Sequence, residues 1–434
     1  MKKILIILCC IFLCGCSSQA VHNKKEAAKR KNDIASNEQL EMKEWRYLFW
    51  NGDGNEDGYY RIKEHELDNE KTTTNLSYFD YQTRQEIFLC DKPECLHNDE
   101  TCTSYLPFAI GGTLFVYQDH LYLSSSSGTV FDSLGGTTNQ GASLYQMDLD
   151  GKNRKVIWQL NENETFDISA IVVGDNKIYI PVEKKEIYEI ASNSSMDVIK
   201  EKKLMGLDLK TKKTKEILDL KDRDVIGIYN CNLVIRQAHY QDDPNKYLEN
   251  KDYSGYEQAI QNVEMGYFKY DLNTKQQSLE VQPENANGEF GEYYQNKIYS
   301  IDQGKIYGLD LDSGDQSEVL SLENNRSYMI SDFIDNHLII DTWYQEEYAN
   351  SLVVSLDGLE VKELALNKKP PKEPIDILNI NRDYLFVRYD HDGKYEKTWA
   401  GTDQFEVSKE YFGLISKADF LNSNANYQTL KEIK

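Results

Sequence analysis

The chain has 434 residues, 40% of them hydrophobic, and a formal net charge of −23 at pH 7. A negative charge of this size repels nucleic-acid phosphates, so nucleic acid is excluded as an expected partner. The apolar content, which includes 30 tyrosines, is enough for a folded core and argues against a chain that is disordered throughout.

Residues 1–15 predict a lipoprotein signal peptide. Lys2 and Lys3 precede an apolar run that is too short to span a bilayer comfortably. The run ends in "LCGC", which resembles the bacterial lipobox and implies a thioether-linked diacylglycerol on Cys16. We therefore expect an extracytoplasmic protein, anchored by this lipid to the outer leaflet of the bacterial cytoplasmic membrane. The alternative is a secretory signal with incidental cysteines.

Residues 16–43 are polar and lack apolar periodicity, which predicts a flexible tether between the lipid and a domain spanning 44–434. The tether contains "KKEAAKRK" (Lys24 to Lys31), with five basic residues and one acidic residue. This run either attracts anionic lipid headgroups or is a solvated charged segment.

The stretch "DGNEDGYYRIKE" fits the calcium-loop pattern D-x-N-x-D-G-x5-E. Its hard oxygen ligands would come from Asp53, Asn55, Asp57, Glu64 and the carbonyl of Tyr59. The alternative is a Gly/Asp-rich turn between two strands, because such turns are common without a metal.

The stretch "LCDKPECLHNDETC" places Cys90, Cys95, His97 and Cys102 within thirteen residues. Cys95 and His97 lie two residues apart, so both point to one side of an extended segment. The four side chains could form a tetrahedral zinc site, one disulfide with a spare thiol, or a site for redox chemistry or another metal. The only other cysteine far from the N-terminus is Cys231.

Repeated hairpins are the strongest structural signal in the sequence. Seven segments each consist of an alternating strand, a polar turn and a second strand. The side chain at the turn is expected to bond backbone amides. It falls at Asp80, Asp148, Asp208, Asp271, Asp310, Ser355 and Asp419.

A hairpin of a second type precedes most of these segments, as in "LFVYQDHLYLS" and "AIVVGDNKIYIPV". Two consecutive hairpins form a four-stranded antiparallel unit, which is the blade of a β-propeller. No helical period of comparable length appears. The sequence therefore predicts an all-β domain, a seven-bladed β-propeller of four-stranded antiparallel blades. A solenoid or a sandwich is the alternative.

The lipobox, the Cys/His segment and the terminal phrase "LISKADFLN" together resemble a family of lipoproteins of Gram-positive bacteria. These lipoproteins join a lipobox and tether to a propeller of low-density-lipoprotein-receptor-like type, and many carry a C-x4-C-x-H-x(n)-C segment after the first blade. The resemblance covers nearly the whole chain. It implies a propeller fold and a place at the cell surface, and it implies no particular activity.

With blade strands lettered A to D outward from the ring axis, long insertions fall in the B–C connections of blades 2, 3, 4 and 7. The Cys/His segment joins blade 1 to blade 2 and is expected on the same face. Cys231 falls in an A–B turn of blade 4 on the opposite face, too far for a disulfide. Three cysteines and a histidine then favour a closed structural zinc site.

Long loops on one face of a rigid scaffold often carry function. The candidate binding residues on this face are His239, Tyr240, Trp343, Tyr344, His391 and Trp399. We therefore predict a lipid-anchored binding or scaffolding module with a protein, peptide or glycan ligand at the B–C and D–A loops. The alternative is a glycan-active hydrolase or lyase that uses the same face, and a purely structural role in the cell envelope is a third interpretation.

Overall fold

A computed structural model describes the protein over residues 40–44, 52–66, 72–106, 112–125, 128–131, 137–191, 194–284, 291–345, 347–398 and 401–433. The signal peptide, Cys16 and Trp399 lie outside these ranges. Within them the sheets form seven blades around a central channel, which confirms the predicted seven-bladed β-propeller. No helix in the described part of the chain combines the length and apolarity needed to cross a membrane.

Blades 1 to 3 each contain four antiparallel strands in the order A to D. The strands of blade 1 are β2 (Gly52–Gly54), β3 (Gly58–Glu66), β4 (Thr72–Asp80) and β5 (Gln85–Phe88). Those of blade 2 are β6 (Thr113–Tyr117), β7 (His120–Ser124), β10 (Ser143–Asp148) and β11 (Lys155–Gln159). Those of blade 3 are β13 (Ala170–Gly174), β14 (Lys177–Ala191), β15 (Ser194–Asp208) and β16 (Thr214–Asp219), and β12 (Glu164–Phe166) pairs with β14.

Blade 4 has β17 (Arg223–Tyr229), β18 (Asn232–Tyr240) and β19 (Val263–Asp271), and isolated bridges at Gln277 and Val281 take the place of strand D. Blade 5 contains β20 (Glu292–Tyr294), β21 (Lys297–Asp302), β22 (Lys305–Asp310) and β23 (Gln316–Ser321). Blade 6 contains β24 (Ser327–Ile334), β25 (His337–Tyr344), β26 (Glu347–Ser355) and β27 (Val361–Leu364). Blade 7 contains β28 (Asp376–Ile380), β29 (Tyr384–Lys397), β30 (Asp403–Ser416) and β31 (Gln428–Leu430).

We call the end of the ring that carries the A–B turns the turn face, and the end that carries the B–C connections the loop face. The predicted insertions are found on the loop face. Blade 2 adds a hairpin of β8 (Gly128–Phe131) and β9 (Thr137–Gln140), and blade 4 adds α1 (Pro244–Glu249) and α2 (Tyr253–Gln261). Blades 3 and 7 extend β14–β15 and β29–β30 well beyond their neighbours, so four blades project from this face.

Two-residue A–B turns of blades 3 to 6 have positive φ at both residues, as type I′ hairpins require. The pairs are Asp175 and Asn176, Asn230 and Cys231, Gln295 and Asn296, and Asp335 and Asn336. Asparagine tolerates this conformation well and holds the second position in three of the four turns. Cys231 occupies that same position, so it is a turn residue of the hairpin.

At four of the C–D turns the repeated aspartate accepts hydrogen bonds from two backbone amides, as predicted; these are Asp80, Asp208, Asp271 and Asp310. The amides of Thr274 and Asn273 hold the pKa of Asp271 below its ordinary value. The prediction is wrong for Asp419. That residue lies in a helix, α3 (Lys417–Leu421), because Ser416 caps the helix by accepting a bond from the Asp419 amide.

The ring closes between blades 7 and 1 through the last residues of the chain. After β31, Lys431 pairs in parallel with Gln85 at the edge of β5. Beneath this contact the Arg61 guanidinium bonds the carboxylates of Glu86 (2.9 Å) and Glu432 (2.8 Å). It also lies 4.9 Å from the ring centroids of both Phe79 and Phe412. Charge pairs and cation–π contacts therefore join the first and last blades.

A strand that the sequence did not predict lies inside the ring. β1 (Glu41–Glu44) pairs antiparallel with β13, the innermost strand of blade 3, so the last three residues of the predicted tether belong to this sheet. Lys43 reaches across the channel to Asp53 of blade 1, with 3.0 Å between ammonium and carboxylate. The carboxylate also accepts bonds from the amides of Val116 and Gly54. This ion pair fixes β1 between two blades.

Replacing Lys43 with methionine should destabilise the domain by about 3 kcal/mol, because Asp53 would keep a buried charge without its cation. Lys43 is only 8% exposed. Urea unfolding followed by intrinsic fluorescence measures the change. The matched control is Glu41→Gln, which removes the exposed partner of the same ammonium and should have little effect. Equal losses in the two variants would contradict a dominant role for the Lys43–Asp53 pair.

Candidate metal centre and the loop face

The Cys/His segment follows β5 and continues the edge of blade 1. Its backbone forms three hydrogen bonds with the first half of β4. The Leu76 amide donates to the Ser104 carbonyl (2.7 Å), and the Leu76 carbonyl accepts from the Leu89 amide (3.0 Å). The Leu106 amide donates to the Thr74 carbonyl (2.8 Å). β5 has four residues and reaches only as far as Ser77 of β4. The segment therefore completes the hydrogen bonding that a longer strand D would supply.

The segment also contacts the C–D turn of blade 2. The Arg154 guanidinium donates to the carbonyls of Tyr105 (2.9 Å) and Thr103 (2.8 Å), and Lys152 pairs with Asp91 at 2.9 Å. The segment was expected beside the B–C loops. Its contacts instead place it along the outer rim between blades 1 and 2, because the short β5 leaves it beside the middle of β4.

The side chains of Cys90, Cys95, His97 and Cys102 converge. Their possible ligand atoms all lie within 4.8 Å of one another, and His97 Nδ1 is 3.2 Å from Cys102 Sγ. A tetrahedral zinc ion with Zn–S bonds of about 2.3 Å needs sulfur atoms about 3.7 Å apart. A contraction of about 1 Å would thus bring the group to metal-binding geometry.

Residues outside the sequence motif hold these side chains in place. Ser104 Oγ lies 3.0 Å from Cys102 Sγ, and Asn75 Nδ2 donates to the His97 carbonyl (2.8 Å) and to Ser104 Oγ (3.1 Å). Asn75 and Ser104 are both fully buried. Partners of this kind orient metal ligands and tune their basicity. Sequence analysis missed both residues, since nothing in the spacing links position 75 to the cysteines.

Two of the thiols differ in acidity. Burial opposes ionisation of Cys90, yet the Lys92 amide and the neighbouring thiols lower its pKa. Burial and those same neighbours raise the pKa of Cys95, although the His97 amide acts in the opposite direction. Cys90 is therefore the first of this pair to supply a thiolate, which is the form that binds metal. One buried and three half-buried ligands complete a site that can hold a metal ion.

Cys231 takes no part in this group. It is exposed in the A–B turn of blade 4, and all four cysteines in the described residues are unpaired thiols. The predicted separation of Cys231 from the Cys/His segment therefore agrees with the structure.

The predicted calcium ligands do not converge, which corrects that prediction. Asp53 is already paired with Lys43, and Asn55 Oδ1 accepts bonds from the amides of Asp57 and Gly58 as part of the turn between β2 and β3. Tyr60 is the residue opposite Asp53, so Glu64 stands about 13 Å farther along β3. The Tyr59 carbonyl belongs to the same paired strand. The pattern D-x-N-x-D-G therefore forms a hairpin turn.

The predicted binding residues have different environments. Tyr344 is 55% exposed, while Trp343 packs edge-on against Tyr348. His239 pairs with the Glu280 carboxylate, and the pKa of the half-buried Tyr240 is raised by burial. His391 is 5% exposed and packs against Phe405, so it does not present its ring to a ligand. His239 stands on blade 4 and His391 on blade 7, so the two histidines belong to different parts of the ring.

The loop face also presents exposed apolar side chains, of which sequence analysis singled out only Tyr344. They are 39–61% exposed; Ile199, Ile260, Tyr395 and Val407 lie on the projecting parts of blades 3, 4 and 7, and Tyr344 lies at the B–C turn of blade 6. Four of the five lie on paired strands, so their exposure becomes evident only once each hairpin's register is known.

Comparison with known proteins does not assign the chain to a family. No protein-family model and no curated protein matches the chain. Among solved structures, a puromycin-hydrolyzing peptidase of Mycobacterium tuberculosis aligns with 89% of this chain at 8% identity and a TM-score of 0.49. This chain spans 55% of the peptidase's length.

Two further solved structures are similar over most of their own length. The β-propeller domain of the Trilobed protease of Pyrococcus furiosus aligns with 90% of this chain and 98% of its own, at 9% identity and a TM-score of 0.43. An oligogalacturonate lyase in complex with manganese aligns with 83% of this chain and 82% of its own, at 9% identity and a TM-score of 0.42. At these identities the likenesses carry no argument about activity. The chain's own sheets and its Cys/His cluster define the class of protein as a β-propeller with a Cys3His group.

Proposed function

We propose that this protein is a lipid-anchored, extracytoplasmic propeller that binds a partner on its loop face. The lipobox ending at Cys16 supports the anchor. The exposed apolar side chains on the loop face of blades 3, 4, 6 and 7 support binding, and this observation carries the proposal, because apolar groups exposed on one face of a rigid scaffold are typical of interaction surfaces. A scaffolding role in the cell envelope would use the same surface.

The chemistry of the loop face favours a protein or peptide over a glycan. Ile199, Ile260 and Val407 are aliphatic and cannot pair with sugar hydroxyls, whereas they would pack against apolar groups of a polypeptide. Tyr344 and Tyr395 add aromatic area with a polar handle. The chain's charge of −23 further favours a partner with basic residues.

We also propose that the Cys3His group holds zinc in a structural role. Thiolate and imidazole are the ligands that tetrahedral zinc takes in proteins. All four positions belong to this chain, so no coordination position is left for substrate. Zinc would fasten the segment between blades 1 and 2 to the edge of β4, at the place where β5 ends early.

Photo-crosslinking on intact cells tests the binding face. A benzoylphenylalanine replacing Tyr395, near the tip of the blade 7 hairpin, should form covalent adducts with one or a few polypeptides. The matched control replaces Tyr384, which begins the same strand β29 at the turn face and is 40% exposed, against 61% for Tyr395. Adducts from Tyr395 alone support the proposal. Equal adducts from both positions, or none from Tyr395, would contradict it.

A further inference from the structure

The path of β1 fixes where the preceding chain leaves the ring. Glu41 lies opposite Val173 and Glu44 lies opposite Ala170, so β1 runs antiparallel to β13. β13 ends at the A–B turn of Asp175 and Asn176, which means that it runs from the loop face to the turn face. β1 therefore runs the other way, and the chain before Leu40 emerges on the turn face.

Contacts on both sides hold this direction. Leu40 and Met42 pack against the core cluster shared by blades 3 and 4. Lys43 points to the opposite side and pairs with Asp53 of blade 1. Side chains of a strand alternate between its two sides, so one short strand contacts three blades at once. β1 cannot reverse without moving both the apolar residues and the ion pair out of their partners.

We infer that the anchored protein presents its loop face away from the membrane and its turn face toward it. The inference rests on the proposed lipid at Cys16. It also rests on the predicted tether: twenty-three residues separate that cysteine from Leu40, and a tether of this length, as the sequence predicts it, would span about 26 Å on average. Since the chain leaves from the turn face, this face stays nearest the bilayer, and the projecting blades are free to meet a partner on another surface.

Energy transfer in proteoliposomes tests the orientation. The full-length lipidated protein carries a donor dye at Tyr384→Cys or at Tyr395→Cys, each in a Cys231→Ser background, and the bilayer contains an acceptor-labelled lipid. The two positions share β29 and lie eleven residues apart, which is about 36 Å along the strand. Transfer should be several-fold stronger from Tyr384→Cys. Equal transfer, or stronger transfer from Tyr395→Cys, would overturn the orientation.

Cys231 supplies a second reporter that requires no new cysteine, because it is exposed in an A–B turn on the turn face. A dye on Cys231 should behave as the Tyr384→Cys dye does, and weak transfer from it would count against the inference. A Cys16→Ala variant separates the two levels of the proposal. The Cys16→Ala variant should not sediment with liposomes, whereas the unaltered chain should. If the unaltered chain also fails to sediment, the lipid anchor is refuted, and the orientation is refuted with it.

Discussion

Replacing Cys102 with serine should abolish stoichiometric zinc binding and loosen the segment of residues 89–106 from blade 1. Cys102 is the most buried of the four ligands and contacts both His97 and Ser104. Zinc binds the folded site and not the unfolded chain, so its binding raises the free energy of unfolding. The variant should therefore lose about 3 kcal/mol or more of unfolding free energy, a fraction of the apparent binding energy of structural zinc sites.

Mass spectrometry of the soluble domain measures the metal, with about one zinc per chain expected in the unaltered protein. Hydrogen exchange of the Leu76 and Leu106 amides reports whether the segment stays attached to β4. The Leu76 amide of β4 donates to the Ser104 carbonyl of the segment, and the Leu106 amide of the segment donates to the Thr74 carbonyl of β4. Cys231→Ser is the matched control, since it removes a thiol outside the group and should change neither readout. A disulfide among Cys90, Cys95 and Cys102 in a peptide map, with no zinc, would refute the site.

The convergence of these ligands was predictable because it depends on local spacing, whereas their setting was not. Cys95 and His97 two residues apart, with Cys90 and Cys102 close by, already suggest a common point. The location on the rim follows from where β5 stops, at Phe88. The supporting Asn75 belongs to a strand that joins the segment only in the folded sheet. Long-range pairing of this kind leaves no mark in a single sequence.

A similar distinction holds for the fold. Alternation along strands and the aspartates at C–D turns specify a ring of hairpins, and that ring is what the structure has. The strand β1 was missed because four residues, "EMKE", carry too short a pattern, and its pairing depends on a channel formed by other blades. The helices α1, α2 and α3 were missed because each is short and depends on a single capping residue: Asp243, Asp252 and Ser416.

The calcium motif failed for the opposite reason, because the local pattern was right and the surrounding structure overrode it. Asn55 does belong to a turn that follows Asp53, but the chain from Gly58 continues as a nine-residue strand. An extended strand places Glu64 away from the turn, whereas a calcium loop would bring its carboxylate back to the other ligands. Lys43, which precedes the motif and enters from the unpredicted β1, supplies the cation for Asp53 instead.

The second large effect is expected at the closure of the ring, where Arg61→Met should cost about 3–5 kcal/mol of unfolding free energy. The substitution leaves Glu86, whose side chain is fully buried, with Lys63 as its remaining close cation at 3.2 Å. Removing one partner of a buried ion pair is strongly destabilising, because the remaining charge stays buried without full compensation for its desolvation. Glu432 also loses the guanidinium that holds the chain's end against blade 1.

The matched control for that change is Lys305→Met, which breaks an exposed ion pair with Glu318 on blade 5 and should leave stability nearly unchanged. The dependence on pH adds a second test. Burial opposes ionisation of Glu86, but Arg61 and Lys63 hold its pKa below the ordinary value of 4.5. Its contribution is therefore present above about pH 4.5 and is lost as the pH falls through the lower, folded-state pKa.

In Arg61→Met the pKa of Glu86 should rise toward or above its ordinary value, so less stability remains to be lost on acidification. The free energy of unfolding of the variant should then fall less steeply below about pH 4.5 than that of the unaltered protein. Parallel pH profiles would show that Glu86 does not depend on Arg61. Backbone bonds between Lys431 and the edge of β5 join the first and last blades only over a short stretch, so the charge pairs and the tilted Phe79–Phe412 contact around Arg61 add cohesion that a continuous sheet would otherwise give.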